Sequence, residues 1–127
     1  MQKDEIVGEL KSLIVPFKGE GVEVSRATTI YHDLWIAGDD AGELLDAIHN
    51  RFAADFREMS FERYFPHEGE VFSEHILKLL GFRKKAKWRR LTVGHLVDVI
   101  QSGKWFEPGN DREYGDRSNA PLRRIEI

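Results

Sequence analysis

The side chains of this 127-residue chain that could do chemistry fall into three groups. The first is acidic. Asp39, Glu43 and Asp46, followed by Asn50, recur at three- and four-residue spacing, with Asp40 beside them. On a helix this spacing places Asp39, Glu43, Asp46 and Asn50 on one side, a negative strip that suits a basic protein surface or simply a solvated face. The second group is basic: Arg83, Lys84, Lys85, Lys87, Arg89 and Arg90, with Trp88 among them. Phosphate contacts plus base stacking would make this run a nucleic-acid site. A solvated loop, or a surface that pairs with the chain's own acidic half, is the other use. The net charge of −3 and the absence of a nucleic-acid motif favour the second use.

The third group is the histidines, His32, His49, His67, His75 and His95. His32, Asp39, Asp40 and His49 make a conceivable metal set. Their spacing fits no recognised ligand pattern, and ten helical residues separate Asp39 from His49 by about 15 Å. No Ser-His-Asp triad, paired-carboxylate arrangement or glycine-rich phosphate loop can be assembled from the sequence. No catalytic residue, metal or cofactor is expected, and a non-enzymatic role follows.

Composition bounds the class. Charged residues make up 32% and hydrophobic residues 41%, which fits one folded globular domain. There is no cysteine, so disulfides, thiolate metal sites and a cysteine nucleophile are excluded. No apolar run approaches a membrane span, and no signal-peptide pattern opens the chain, so a cytoplasmic protein is expected. Charge divides unevenly. Residues 1–70 carry 7 Lys and Arg against 15 Asp and Glu, and residues 71–127 carry 12 against 7. Two surfaces of opposite sign are expected.

Mostly helical elements must position these groups. Ile6, Val7, Leu10, Leu13, Ile14 and Phe17 have helical spacing from about Asp4, with an end between Pro16 and Gly19. Residues 20–37 read as a long linker in which Thr28 or Thr29 starts a turn and Ile30, Leu34 and Trp35 face inward. The acidic strip lies on a helix capped by Asp39 or Asp40, with Glu43 closing a capping box and Ala41, Leu44, Leu45, Ile48 and Phe52 buried. Phe56, Phe61, Tyr64 and Phe65 form an aromatic cluster around one turn capped by Ser60 and stopped by Pro66; it serves core packing or lines a ligand groove. A helix from Ser73 or Glu74 to Gly81 carries Ile76, Leu77, Leu79 and Leu80. The last helix opens at Thr92, buries Val93, Leu96, Val97 and Ile100, and stops at Gly103. Residues 107–127 have no helical or strand period and read as a flexible tail.

The central stretch resembles the acyl carrier proteins. Their Asp-Leu-Gly-x-Asp-Ser-Leu signature aligns without gaps on this chain: Asp33-Leu34 matches the opening, Glu43-Leu44 the Glu-Leu of the following helix, and Phe52 its closing Phe. Leu91-Thr92-Val93 is similar to the start of the final carrier helix, and Tyr64-Phe65-Pro66 to a motif of a bacterial branch of carrier-like proteins. The resemblance covers about residues 4–60 and 91–102. It implies a carrier-like helical bundle of three to four core helices over residues 1–106, with an inserted helix and basic segment at 67–90 and room for a short hairpin. It also implies that the carrier's modified serine falls on Gly38, which has no hydroxyl to esterify. Ser12, Ser25, Ser60, Ser73, Ser102 and Ser118 do not occupy an equivalent junction.

The resemblance therefore implies a protein-binding module that keeps the acidic docking face, residues Asp39, Asp40, Glu43, Asp46 and Asn50, without a phosphopantetheine arm. Its partner would be a protein with a basic patch. The alternatives are a genuine acyl carrier modified at another serine and a nucleic-acid binder that uses residues 83–90. Oligomeric state is left open.

Overall fold

A computed structural model describes residues 1–66 and 88–109. Among these residues lie four helices: α1 (Lys3–Lys18), α2 (Gly38–Phe52), α3 (Phe61–Tyr64) and α4 (Val93–Ser102). No strand forms among them; two isolated bridges join Thr29 to Thr92 and Asp55 to Lys104. The architecture is a small helical bundle, and no described helix is long and apolar enough to cross a membrane. The expected helix at 73–81, the basic residues Arg83, Lys84, Lys85 and Lys87, and residues 110–127 of the expected tail lie outside the described residues.

Helix α1 packs against both α2 and α4. It buries Ile6, Leu10 and Ile14, one side of the expected stripe. Its first turn is closed by Glu5, whose Oε1 accepts from the Gln2 amide at 2.8 Å. The helix runs through Pro16. Pro16 lacks only the amide hydrogen that would bond the Ser12 carbonyl, and so near the end the turn tolerates the loss. Gly19, at φ 99°, then terminates the helix in a conformation that side chains disfavour, and its amide bonds Val15 O at 2.7 Å. Arg51 bonds Glu9 across the α1–α2 seam, and Lys3 bonds Asp98 across the α1–α4 seam. Lys3 and Arg51 are exposed and Glu9 and Asp98 partly so, and these pairs therefore select the packing arrangement more than they stabilise it.

The linker after α1 is fixed by hydrogen bonds to the start of α4. Helix starts leave amides without partners. Here Val93 N donates to Thr28 O, Gly94 N to Arg26 O, and His95 N to the hydroxyl of the cap residue Thr92 at 3.0 Å. Ile30 N also bonds Leu91 O at 2.8 Å. Within the linker, Thr29 N donates to Asp33 Oδ2 at 2.9 Å and Asp33 N donates to Thr29 Oγ1 at 2.7 Å. This reciprocal pair holds a turn that buries Ile30, Tyr31, Leu34 and Ile36. Trp35 is half-buried and packs against the core, edge-on to Tyr31. Its φ of 59° is unusual for a bulky residue, and its amide is bonded to Tyr31 O at 2.8 Å.

Helix α4 behaves as its periodicity predicts at Val93, Leu96 and Val97, which are buried, while Ile100 is half-buried. Val99 and His95 are buried as well. Gly103, at φ 94°, is the C-cap. In the aromatic cluster Tyr64 and Phe65 are fully buried and Phe61 packs on Phe65 with centroids 4.9 Å apart, while Phe56 is half-buried against Trp105. Ser60 precedes α3, as expected, but its side chain makes no cap bond.

Two sequence-derived boundaries move. Trp88, assigned to an exposed basic run, is 8% exposed and packs edge-on against Tyr31 with centroids 5.7 Å apart. Glu107 and Pro108, assigned to the flexible tail, pack on the bundle. Pro108 is buried, and Glu107 accepts hydrogen bonds from Tyr64 and Trp105. Both changes arise from aromatic and hydrogen-bonding partners distant in sequence.

Candidate functional site

The candidate site is the outer face of α2. Its inner face, Ala41, Leu44, Leu45 and Ile48, is buried in the core, while Phe52 is half-buried. Asp39, Asp40, Glu43, Asp46 and Asn50 are all exposed. The 3.6-residue repeat that buries the apolar set necessarily turns this set outward. Asp40, Glu43 and Asp46 form no ion pair with another described residue. From Asp39 to Asp46 the strip rises about 10 Å along the helix.

Neither Asp39 nor Asp40 occupies the expected N-cap position. The helix begins at Gly38, and the N-cap residue is Ala37, which has extended backbone and a side chain that cannot cap. Asp39 and Asp40 lie inside the first turn instead, where their charge favours the positive end of the helix dipole. Gly38 itself sits at φ 59°. A residue with a Cβ rarely adopts that backbone, so the turn, and not only the missing hydroxyl, favours glycine here.

At the other end of α2 the chain reverses through Ala53, at φ 62°, whose amide bonds His49 O at 2.7 Å. His49 Nδ1 lies 2.7 Å from Ala54 O. A carbonyl oxygen only accepts, so Nδ1 carries the proton, and in the neutral ring Nε2 is the acceptor. Beyond it, Arg57 bonds both oxygens of Asp55, at 3.1 Å through Nε and 2.8 Å through Nη2. These hydrogen bonds, with the Arg57 amide, hold the Asp55 carboxyl down to about 2. Leu45, Asp46, His49, Ala53, Asp55, Phe56 and Arg57 together line an open groove of about 600 Å³. Periodicity could not reveal this groove, because it exists only once the chain after Ala53 folds back beside α2.

Among the described residues, the remaining sequence candidates are not brought together. His32 packs edge-on against Tyr31, centroids 5.3 Å apart, in the linker before α2. Among the described residues no group of three His, Asp or Glu side chains is placed to hold a metal ion. Of the basic run, Arg89 lies 3.5 Å from Glu107 and its amide bonds Arg63 O, Arg90 is exposed, and Trp88 is too buried to stack on a base.

The fold and site thus define a small helical bundle that presents one acidic helix face with a groove at its end. The chain belongs to the family described as "Protein of unknown function (DUF1493)", which matches residues 5–107. That match runs to Glu107, the residue that ties the segment after α4 to the bundle. No curated protein and no solved structure matches the chain.

Proposed function

We propose that this protein is an acyl-carrier-like, non-enzymatic binding module that docks a partner protein through the acidic face of α2 and carries no phosphopantetheine arm. The observation that carries the reading is the joint exposure of Asp39, Asp40, Glu43 and Asp46 on a helix whose opposite side is core. Such a strip attracts a basic patch at long range and orients it on contact. Gly38 supports the second half of the reading. It begins α2, where the resemblance to carriers puts their serine, and its left-handed backbone disfavours any side chain. Recognition then depends on charge and shape, with no thioester involved.

Two experiments test the reading. A pull-down with wild type and with Asp39→Lys/Glu43→Lys is expected to lose the partner in the variant; equal retention contradicts docking. The intact mass after co-expression with a phosphopantetheinyl transferase is expected to be unchanged; a gain of one arm contradicts the armless module.

A further inference from the structure

We infer that the groove at the C-terminal end of α2 is the anchor pocket of the same docking surface, and that it takes one large apolar side chain, best a tryptophan, from a lysine- or arginine-rich segment of the partner protein. The inference rests on the proposed docking role of the acidic face.

The groove and the acidic face are continuous. Asp46 belongs to both, one helical turn before His49. The lining pairs an apolar part, Leu45, Ala53 and the half-buried ring of Phe56, with a polar part, Asp46, His49, Asp55 and Arg57. Charge in the polar part is unbalanced. Asp55 and Arg57 neutralise each other through their paired hydrogen bonds, which leaves the carboxylate of Asp46. An apolar group that arrives with a positive neighbour satisfies both parts together. A free fatty chain or an acidic peptide does not. The His49 ring adds selectivity. Its Nδ1 proton is committed to Ala54 O, so Nε2 accepts and suits an indole N–H better than a phenyl ring. A volume of about 600 Å³ has room for one such side chain. Aromatic anchors seated in pockets beside charged rims carry much of the energy of protein interfaces.

The test uses the full chain and a set of lysine- and alanine-containing helical peptides of about 15 residues. One parent has no aromatic, and each other member carries tryptophan at a different position. At low salt, at least one tryptophan placement is expected to bind about tenfold more tightly than the parent, as burial of one large apolar side chain predicts. Amide shifts should move at Leu45, Ala53 and Phe56. His49→Trp, which fills the groove from an exposed helical position, should abolish the gain. If the parent binds and is lost with Asp39→Lys/Glu43→Lys, but no tryptophan placement gains, the groove inference fails and the docking role stands. If a glutamine-for-lysine tryptophan peptide gains equally, the occupant is apolar without being basic and the inference fails. If no peptide binds, or binding ignores Asp39→Lys/Glu43→Lys, the docking role fails and the inference with it.

Discussion

The Tyr64 hydroxyl donates to Oε1 of Glu107, and the Trp105 indole donates to Oε2 of the same carboxylate at 3.1 Å. One side chain thereby ties α3 to the segment that follows α4. The Tyr64 ring is fully buried and packs edge-on against Trp105, so Tyr64→Phe keeps the packing and removes the donor. A charge-accepting hydrogen bond of this kind contributes about 1.5–3 kcal/mol. Chemical denaturation of Tyr64→Phe is expected to show a loss of about 1–2 kcal/mol, toward the lower end because Glu107 is partly exposed.

The same carboxylate makes stability fall on acidification. Burial pushes the Glu107 carboxyl up, but the hydrogen bonds from Tyr64 and Trp105, helped by Arg63 and Arg89, outweigh it and leave the group below its ordinary value. A group depressed in this way adds stability above its unfolded-state value and loses it as pH falls through the folded-state value. Wild type is therefore expected to lose more stability than Glu107→Gln as pH falls below about 5, through the ordinary glutamate range. Asp55, held to about 2 by Arg57, loses its contribution as pH falls from the ordinary aspartate range toward that value. Parallel thermal scans of the two proteins across this range read the difference.

Gly38 is favoured by its backbone. Gly38→Ser and Gly38→Ala are each expected to cost about 1–2 kcal/mol, because both place a Cβ on a left-handed residue. Gly38→Asn should cost less, since asparagine tolerates that region. Denaturation midpoints of the three variants check the order. Equal stability of wild type and Gly38→Ser would show that the hydroxyl, not the backbone, distinguishes this chain from a carrier.

Thr92 is a cap inside the core. Thr92→Val preserves the shape but leaves the buried His95 amide without the Thr92 hydroxyl. A loss of about 1–2 kcal/mol is expected by denaturation, with protection of the His95 amide from hydrogen exchange reduced.

The helices were legible where burial follows a period. Ile6, Leu10 and Ile14, then Ala41, Leu44, Leu45 and Ile48, then Val93, Leu96 and Val97 are recognisable because only one face of each helix meets the core. Thr92 and Gly103 were legible as caps because residue type alone constrains those positions. The start of α2 was not. Two aspartates suggest a cap, but the extended Ala37 and left-handed Gly38 start the helix before them, and backbone angles leave no mark in residue type beyond glycine itself. Trp88 and Glu107 were hidden for another reason. Each sits in a polar stretch, and its partner, Tyr31 or Tyr64, is brought to it by the fold. The acidic face was visible as a spacing of charges, while the groove at its end depends on the turn after Ala53.

The most direct measurement of the central claim is the association rate of the captured partner with wild type and with Asp39→Lys/Glu43→Lys over a salt series. A docking role for α2 predicts at least about a tenfold slower association of the variant at low salt, with the two proteins converging as salt screens the charge. Equal rates at low salt, or a wild-type rate that does not change with salt, would contradict it.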